Sequence, residues 1–285
     1  MKQIRRLKLR LKIKFKNWFF YDWFPNYIDS YTKFTTRKAR RKLINQEVPH
    51  ILVDTQVFFH SISHLTCKIS TGNKMWGDTE IDTFTTVRVP VQYEQRELES
   101  VKFLSGIVSL ANQNLIQLCS SWELCDEQWS QPTKRYRPLG VADYSLMQNV
   151  DIKLFDDNDY KYDYGDWISG AEKTSKQQRQ ERLSEKDDPL YLGLLSVLGQ
   201  KNSQDIWHIV TAEREGCYCL LTMDYRLIKS LESQKNNKFV KALKTKIMTP
   251  EQLGKEWNLR PVHHRFFSYH EASTPVRTDL RTKRN

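Results

Sequence analysis

The stretch from Asp205 to Asp224 limits this chain more than any other, because four structural signals follow one another there without a gap. Ile206, Ile209, Val210 and Glu213 recur at helical spacing, Gly216 stands where a left-handed C-terminal cap is wanted, and Cys217 to Leu221 is a continuous apolar run. The spacing predicts a helix, a stop and a buried strand, with a carboxylate at each end of the unit. Asp224 falls just past the carboxyl end of that strand, the edge at which open α/β sheets bind their ligands.

The pattern repeats upstream. His50 to Val53 is a short apolar run ending at Asp54, and Thr55 to Ser61 continues as a helix. Leu115 to Cys119 is a third short strand, running through Ser120, Ser121 and Trp122 into Glu123 at the first turn of a helix. Asp54, Glu123, Asp205 and Asp224 are thus four acids at strand and helix junctions of one expected parallel sheet. Each taken alone has a plain structural reading as a helix cap or a partner of a helix dipole. Four on one edge point to a site.

Carboxylates held close together repel and raise one another's pKa unless a cation joins them. Hard ions such as Mg²⁺ and Mn²⁺ prefer such oxygen ligands, and a bound ion makes water a competent nucleophile while stabilising a leaving oxygen. The order of Leu52-Val53-Asp54-Thr55, Ser120 to Leu124, Asp205 followed by Ala212, and Leu220 to Asp224 resembles the PIN-domain family of metal-dependent nucleases, which includes the ribonuclease toxins of bacterial toxin-antitoxin pairs. Lys246 to Leu253 is similar to the last strand and the Thr-Pro-started final helix of that fold. The resemblance covers roughly residues 48 to 257, with longer spacings than compact members between Asp54, Glu123 and Asp205. Glu127 lies close enough to Glu123 to compete with it.

What the resemblance implies is a three-layer α/β/α fold with a central, mostly parallel sheet. It implies a Mg²⁺- or Mn²⁺-dependent endoribonuclease in which Asp54, Asp205 and Asp224 are ligands, Glu123 is a ligand or water-positioning base, and Thr222 orients a ligand or phosphate. RNA is the expected substrate and single-stranded DNA the alternative. Whether an inhibitory or assembly protein partner or a homo-oligomer is involved stays open. A rival reading keeps the fold but makes the chain a nucleic-acid-binding or assembly module with an inactive site. A haloacid-dehalogenase phosphatase is disfavoured because Thr55 and Gln56 follow Asp54 where an Asp-x-Asp pair is needed, and a receiver domain because Leu52-Val53-Asp54 supplies one acid only.

Charge is uneven along the chain. Residues 1–46 carry 14 Lys or Arg against Asp22 and Asp29, more than the whole net charge of +11. From Arg6 to Lys16 basic and apolar residues alternate at period two, so that Arg6, Lys8, Arg10, Lys12 and Lys14 share one face of an expected strand. An aromatic run from Trp18 to Phe24 follows, then Arg37, Lys38, Arg40, Arg41 and Lys42. Such an arm, taken as residues 1–47, suits a phosphate backbone with bases stacked on rings. A solvated face of a structural or oligomeric strand and an anionic membrane surface are the alternatives.

Five cysteines, no signal-peptide apolar core and no long apolar segment predict a chain of the reducing cytoplasm. Cys217 and Cys219 have no matching pair at zinc-finger spacing, and His60, His64, His263 and His264 form no His-Glu-x-x-His motif, so packing or surface roles are expected for them. Residues 66–91 read as an inserted hairpin or long loop. The spacing of Leu98, Val101, Leu104, Val108 and Ala111 predicts a helix over 92–111. The segment 151–187, with six Asp between Asp151 and Asp166, is expected to be an insertion. Asp188 and Pro189 start a helix ending near Gly199, and residues 258–285 are expected to be a basic tail.

Overall fold

A computed structural model describes residue 11 and residues 24–129, 146–147, 150–155, 174–267 and 277–281. In chain order the elements are α1 (Phe24–Thr35), α2 (Arg37–Leu43), β1 (His50–Val53), α3 (Thr55–Phe59), β2 (His64–Trp76), β3 (Thr79–Pro90), α4 (Gln95–Ala111), β4 (Gln117–Ser121), α5 (Trp122–Trp129) and β5 (Ile152–Phe155). There follow α6 (Ser175–Ser184), α7 (Pro189–Leu198), α8 (Ser203–Arg214), β6 (Cys219–Leu221), α9 (Tyr225–Ser233), α10 (Lys238–Ala242), β7 (Lys246–Met248), α11 (Pro250–Glu256) and β8 (Arg277–Arg281).

Five strands form a parallel sheet in the order β5-β4-β1-β6-β7. The chain starts at the middle strand, steps outward through β4 to β5, then crosses back to build β6 and β7 on the other side. The order reverses between β1 and β6, so the crevice at the carboxyl ends of those two strands is the place where such a sheet binds ligands.

Period-two alternation sorts the strand residues onto two faces. Ile51, Val53, Leu118, Cys219 and Leu221 point into one apolar cluster, built with α4 and α11, while Leu52, Cys119 and Leu220 point into a second, built with α7, α8 and α9. Helices therefore cover both faces of the sheet, as expected for an α/β chain. The approach of α11 to α4 depends on Gly254, where a Cβ would come 2.3 Å from the Phe103 ring.

Local signals act where the sequence puts them. Gly216 adopts φ +61°, its N–H donates to the Glu213 carbonyl at 3.2 Å, and the Cys217 N–H returns to the Ala212 carbonyl at 2.8 Å, which ends α8 and turns the chain into β6. Asp188 caps α7 by accepting from the Leu190 and Tyr191 amides at 2.8 and 2.9 Å. Thr249 and Gln252 make a reciprocal capping box ahead of α11.

Other spans differ from expectation. The segment expected to be an insertion supplies the edge strand β5, parallel to β4, and the helix α6; residues 156–173 of it lie outside the described residues. Residues 66–91 do form an antiparallel hairpin, β2 with β3, and β8 adds to it in a separate three-stranded sheet. The expected basic tail begins with a packed stretch in which Leu259, Val262 and Phe267 are buried. The second basic cluster is the helix α2, anchored by buried Ala39 and Leu43. Of the alternating segment, all but Leu11 lies outside the described residues, including Arg6, Lys8, Arg10, Lys12 and Lys14. Among the described residues no helix is long and apolar enough to cross a membrane.

Candidate functional site

Asp54 ends β1 and precedes α3; no capping bond to that helix closes, although the Gln56 amide lies near enough to help hold the carboxyl down. The Asp54 side chain turns instead to the neighbouring strand end, where the Thr222 hydroxyl donates to its Oδ2 at 2.5 Å. The same Thr222 oxygen accepts from the Asp224 backbone N–H at 2.9 Å, so one hydroxyl ties the ends of β1 and β6 together. Asp224 Oδ1 caps α9, accepting from the Arg226 and Leu227 amides at 2.8 and 3.1 Å. Asp205 enters from α8, which runs back against β6, so that its first turn stands at the carboxyl edge of the sheet. Glu127 comes from the second turn of α5 and accepts from the Thr55 hydroxyl at 2.9 Å.

Electrostatics show which of these acids share one environment. Burial, with the charge of Glu127 added to it, pushes Asp54 from 3.8 to about 6. Burial also pushes Asp205 from 3.8 to about 7; His208 opposes the shift, and the charges of Asp54, Asp224 and Glu127 add to it. Burial would raise Glu127 as well, but His208, Thr55 and Arg179 hold it below its ordinary value. Burial would lower His208, and Glu127, Asp54 and Asp205 outweigh that and raise it. The sequence-predicted Asp54, Asp205 and Asp224 thus belong to one charged cluster, with Thr222 fastening two of its elements.

Glu123 lies elsewhere. Its carboxylate is buried in a fork with Arg182, Nε to Oε1 at 2.6 Å and Nη2 to Oε2 at 2.9 Å. Asp126, one turn on, takes Arg179 at 2.5 Å and Arg182 at 3.4 Å, so α6 is clamped to α5 by two acids and two arginines. The acid that α5 gives to the cluster is Glu127.

Sequence reading passed over His208, Arg179, Arg182 and Asp126. A signal existed for each: Asp205 and His208 are three apart on one helix face, and the pairs Glu123/Asp126 and Arg179/Arg182 repeat the same interval on two helices. His208 is 2% exposed, and its Nε2 lies 3.6 Å from Glu127 Oε2, an ion-pair distance beyond hydrogen-bond reach.

The basic residues Arg37, Lys38, Arg40, Arg41 and Lys42 are exposed on α2. Lys42 Nζ reaches the Glu256 carbonyl at the end of α11, and Thr36 meets Gln113 just before β4. Both contacts are at the amino ends of the strands, across the sheet from the acids.

The donor set of the cluster is oxygen-rich and suits a hard divalent ion. Among the described residues no group of three or more His, Cys, Asp or Glu side chains is closed at metal-holding separations. The fit therefore lies in donor chemistry and charge alone. Set against protein-family models, curated proteins and solved structures, the chain matches none of them.

Proposed function

We propose that this protein is a metal-dependent nuclease, an endoribonuclease of PIN-like type, whose site is the acid cluster between β1 and β6. The observation that carries the reading is that the ends of β1 and β6, bearing Asp54 and Asp224 and tied by Thr222, meet the first turn of α8 with Asp205 where the strand order reverses; burial there raises Asp54 to about 6 and Asp205 to about 7. Carboxylates placed there at a cost to themselves are balanced when a cation joins them. Asp54, Asp205, Asp224 and Glu127 are the ligands for Mg²⁺ or Mn²⁺ in this reading. When bound, the ion supplies Lewis-acid stabilisation of the charge that develops on phosphodiester oxygens.

The remaining roles belong to the chain itself. Thr222 holds the Asp54 carboxylate in one orientation, and Thr55 does the same for Glu127. Glu123, spent on Arg182, fixes α5 so that Glu127 faces the crevice. A nucleic-acid strand touching both the acids and α2 has to run along the flank of the sheet, which suits a polymer better than a small phosphate ester. RNA in preference to DNA, and the family itself, rest on the order of the four acid-bearing segments.

The second reading, a nucleic-acid-binding or assembly module with an inactive site, is favoured by the capping bonds of Asp224 and by the open arrangement of the donors. One experiment separates the two. Purified full chain is incubated with mixed RNA and single-stranded DNA, with Mg²⁺, Mn²⁺ or excess chelator, and the product ends are mapped. The nuclease reading expects internal cleavage that needs the ion and falls at least about 100-fold in Asp205→Asn and Asp224→Asn, the scale of losing one electrostatic partner of a transition state. Cleavage that survives chelator, or that either variant retains in full, removes these acids from the site.

A further inference from the structure

Away from the acid cluster, a cavity of about 340 Å³ opens between α1, α4 and the chain that follows α11. Ile28 and Tyr31 line it from α1, Lys102 from α4, and Val262, His263 and Phe266 from the third side. That third side is fixed in place: the Val262 N–H donates to the Lys102 carbonyl at 2.8 Å, and Val262 and Phe267 are buried. Ligand sites span about 300–1,000 Å³, so this one has room for a single ring system and little more.

Rings and cations dominate its chemistry. Tyr31 is 38% exposed while Ile28, one turn earlier, is buried, so the tyrosine stands at the rim. The His263 ring stacks on His264, with centroids 4.6 Å apart, and its Nδ1 accepts from the Arg265 N–H at 3.2 Å. Burial, with the charges of Arg265 and Lys102 added to it, holds His263 below its ordinary value, so the ring is largely neutral at pH 7. The two charged groups that act on His263 are thus both cations; Lys102 also pairs with Glu99 at 2.7 Å, and Arg265 lies over the Phe266 ring at 5.0 Å. Ile28, Tyr31, Phe34 and Arg37 recur every three residues, so one face leads from the cavity to the basic helix α2. Along it the Arg37 and Arg260 guanidinium groups lie 4.8 and 6.0 Å from the Phe34 ring.

We propose that this cavity seats one base of a single-stranded nucleic acid, stacked against Tyr31, while the adjoining phosphates run to α2. The inference rests on the nucleic-acid substrate of the reading above and adds to it a contact with bases away from the acids. Aromatic rings alternating with cations match a strand in which bases alternate with phosphates, and every base offers a face to stack. A ring-lined interior with cations around it suits a nucleotide better than a peptide, whose aromatic side chains bring no anion with them.

The test measures binding of the full chain in excess chelator, where metal-dependent cleavage does not compete. Two labelled single strands of equal length are compared, an RNA of mixed sequence and the same sugar-phosphate chain without bases. Wild type should bind the base-bearing strand about fivefold tighter or more, the least that one stack contributes. Tyr31→Ala, checked for folding by circular dichroism, should lose most of that preference and keep the salt dependence of wild type, because a stack releases no counterions. Tyr31→Phe should restore the preference. Equal affinity of wild type for the two strands overturns the inference without any variant, and so does a folded Tyr31→Ala that keeps the preference. Base-dependent binding by a chain that cleaves nothing once Mg²⁺ or Mn²⁺ is added upholds the inference and removes the nuclease reading; metal-dependent cleavage with base-indifferent binding does the reverse. Failure to bind either strand overturns the inference and leaves the nuclease reading to the cleavage assay alone.

Discussion

Thr222 has no charge, yet it sets the state of the acid beside it. Its hydroxyl bond holds Asp54 lower than burial and Glu127 would otherwise leave it. Thr222→Val removes that bond and keeps the shape, so at pH 8, where Asp54 is ionised, it should cost about 1.5–3 kcal/mol, the range for a hydrogen bond to a charged group. At pH 5 the carboxyl is mostly protonated and the cost should be smaller. Urea denaturation of wild type and variant at the two pH values reads the difference directly. The same acids set the pH profile of the metal-free protein. Asp54 and Asp205 have folded pKa values of about 6 and about 7, above their ordinary 3.8, so between pH 4 and 7 the folded chain binds more protons than the unfolded one. Stability must then fall as pH rises through that window. His208, also raised, acts in the same direction, since its contribution is full below 6.5 and is lost above its folded value. Glu127, lowered, contributes above 4.5 and loses that only on acidification, at the acid end of the window and below it. Melting in chelator should therefore be lower at pH 8 than at pH 5.5, and a flat or rising profile would mean that the acids do not share one buried site.

Elements show how far the sequence could be read and where it stopped. The unit from α8 through Gly216 to β6 is legible because each part of it is local: an apolar stripe at period 3.6, a glycine at positive φ, a short apolar run. The capped starts of α7 and α11 are legible for the same reason. Helix α6 is not, since Ser-Lys-Gln-Gln-Arg-Gln-Glu-Arg-Leu-Ser has one strong apolar residue in ten and is held by Arg179 and Arg182 instead of by an apolar stripe. Strand β5 hides beside a run of Asp, with two of its four residues exposed at the sheet edge. The choice between Glu123 and Glu127 is one helical turn, and arginines more than 50 residues downstream decide it. That choice can be tested. Arg182→Met strands a buried carboxylate and should cost about 3–5 kcal/mol, most of which should return in Glu123→Leu/Arg182→Met, where both charges are gone. In parallel, Glu127→Gln should shrink the stabilisation gained on adding Mn²⁺. Glu123→Gln should lower overall stability while leaving that metal response in place. The reverse pattern in calorimetric titrations would restore Glu123 to the site.

At the scale of the whole molecule, the acids stand at the carboxyl ends of the sheet and the basic helix α2 at the amino ends. Binding and chemistry are therefore separable by mutation. Neutralising Arg37, Lys38 and Arg41 to Gln should reduce the slope of log affinity against log salt by about 0.7 for each single-strand phosphate that the helix no longer neutralises, without altering the metal-induced thermal shift. An unchanged slope would return α2 to the role of a solvated helix face. The central claim is that Asp54, Glu127, Asp205 and Asp224 form one cation site at the β1/β6 crevice, and a set of four thermal melts tests it most directly. Wild type and Asp205→Asn are compared at pH 8 and one ionic strength, each in chelator and in Mn²⁺. The metal-free variant should melt at or above wild type, because about 1–3 kcal/mol from burying the charge, with the neighbouring acids adding to it, has been relieved, and its gain on adding Mn²⁺ should be much smaller. A metal-free variant that melts below wild type, with an undiminished gain from Mn²⁺, would contradict the claim.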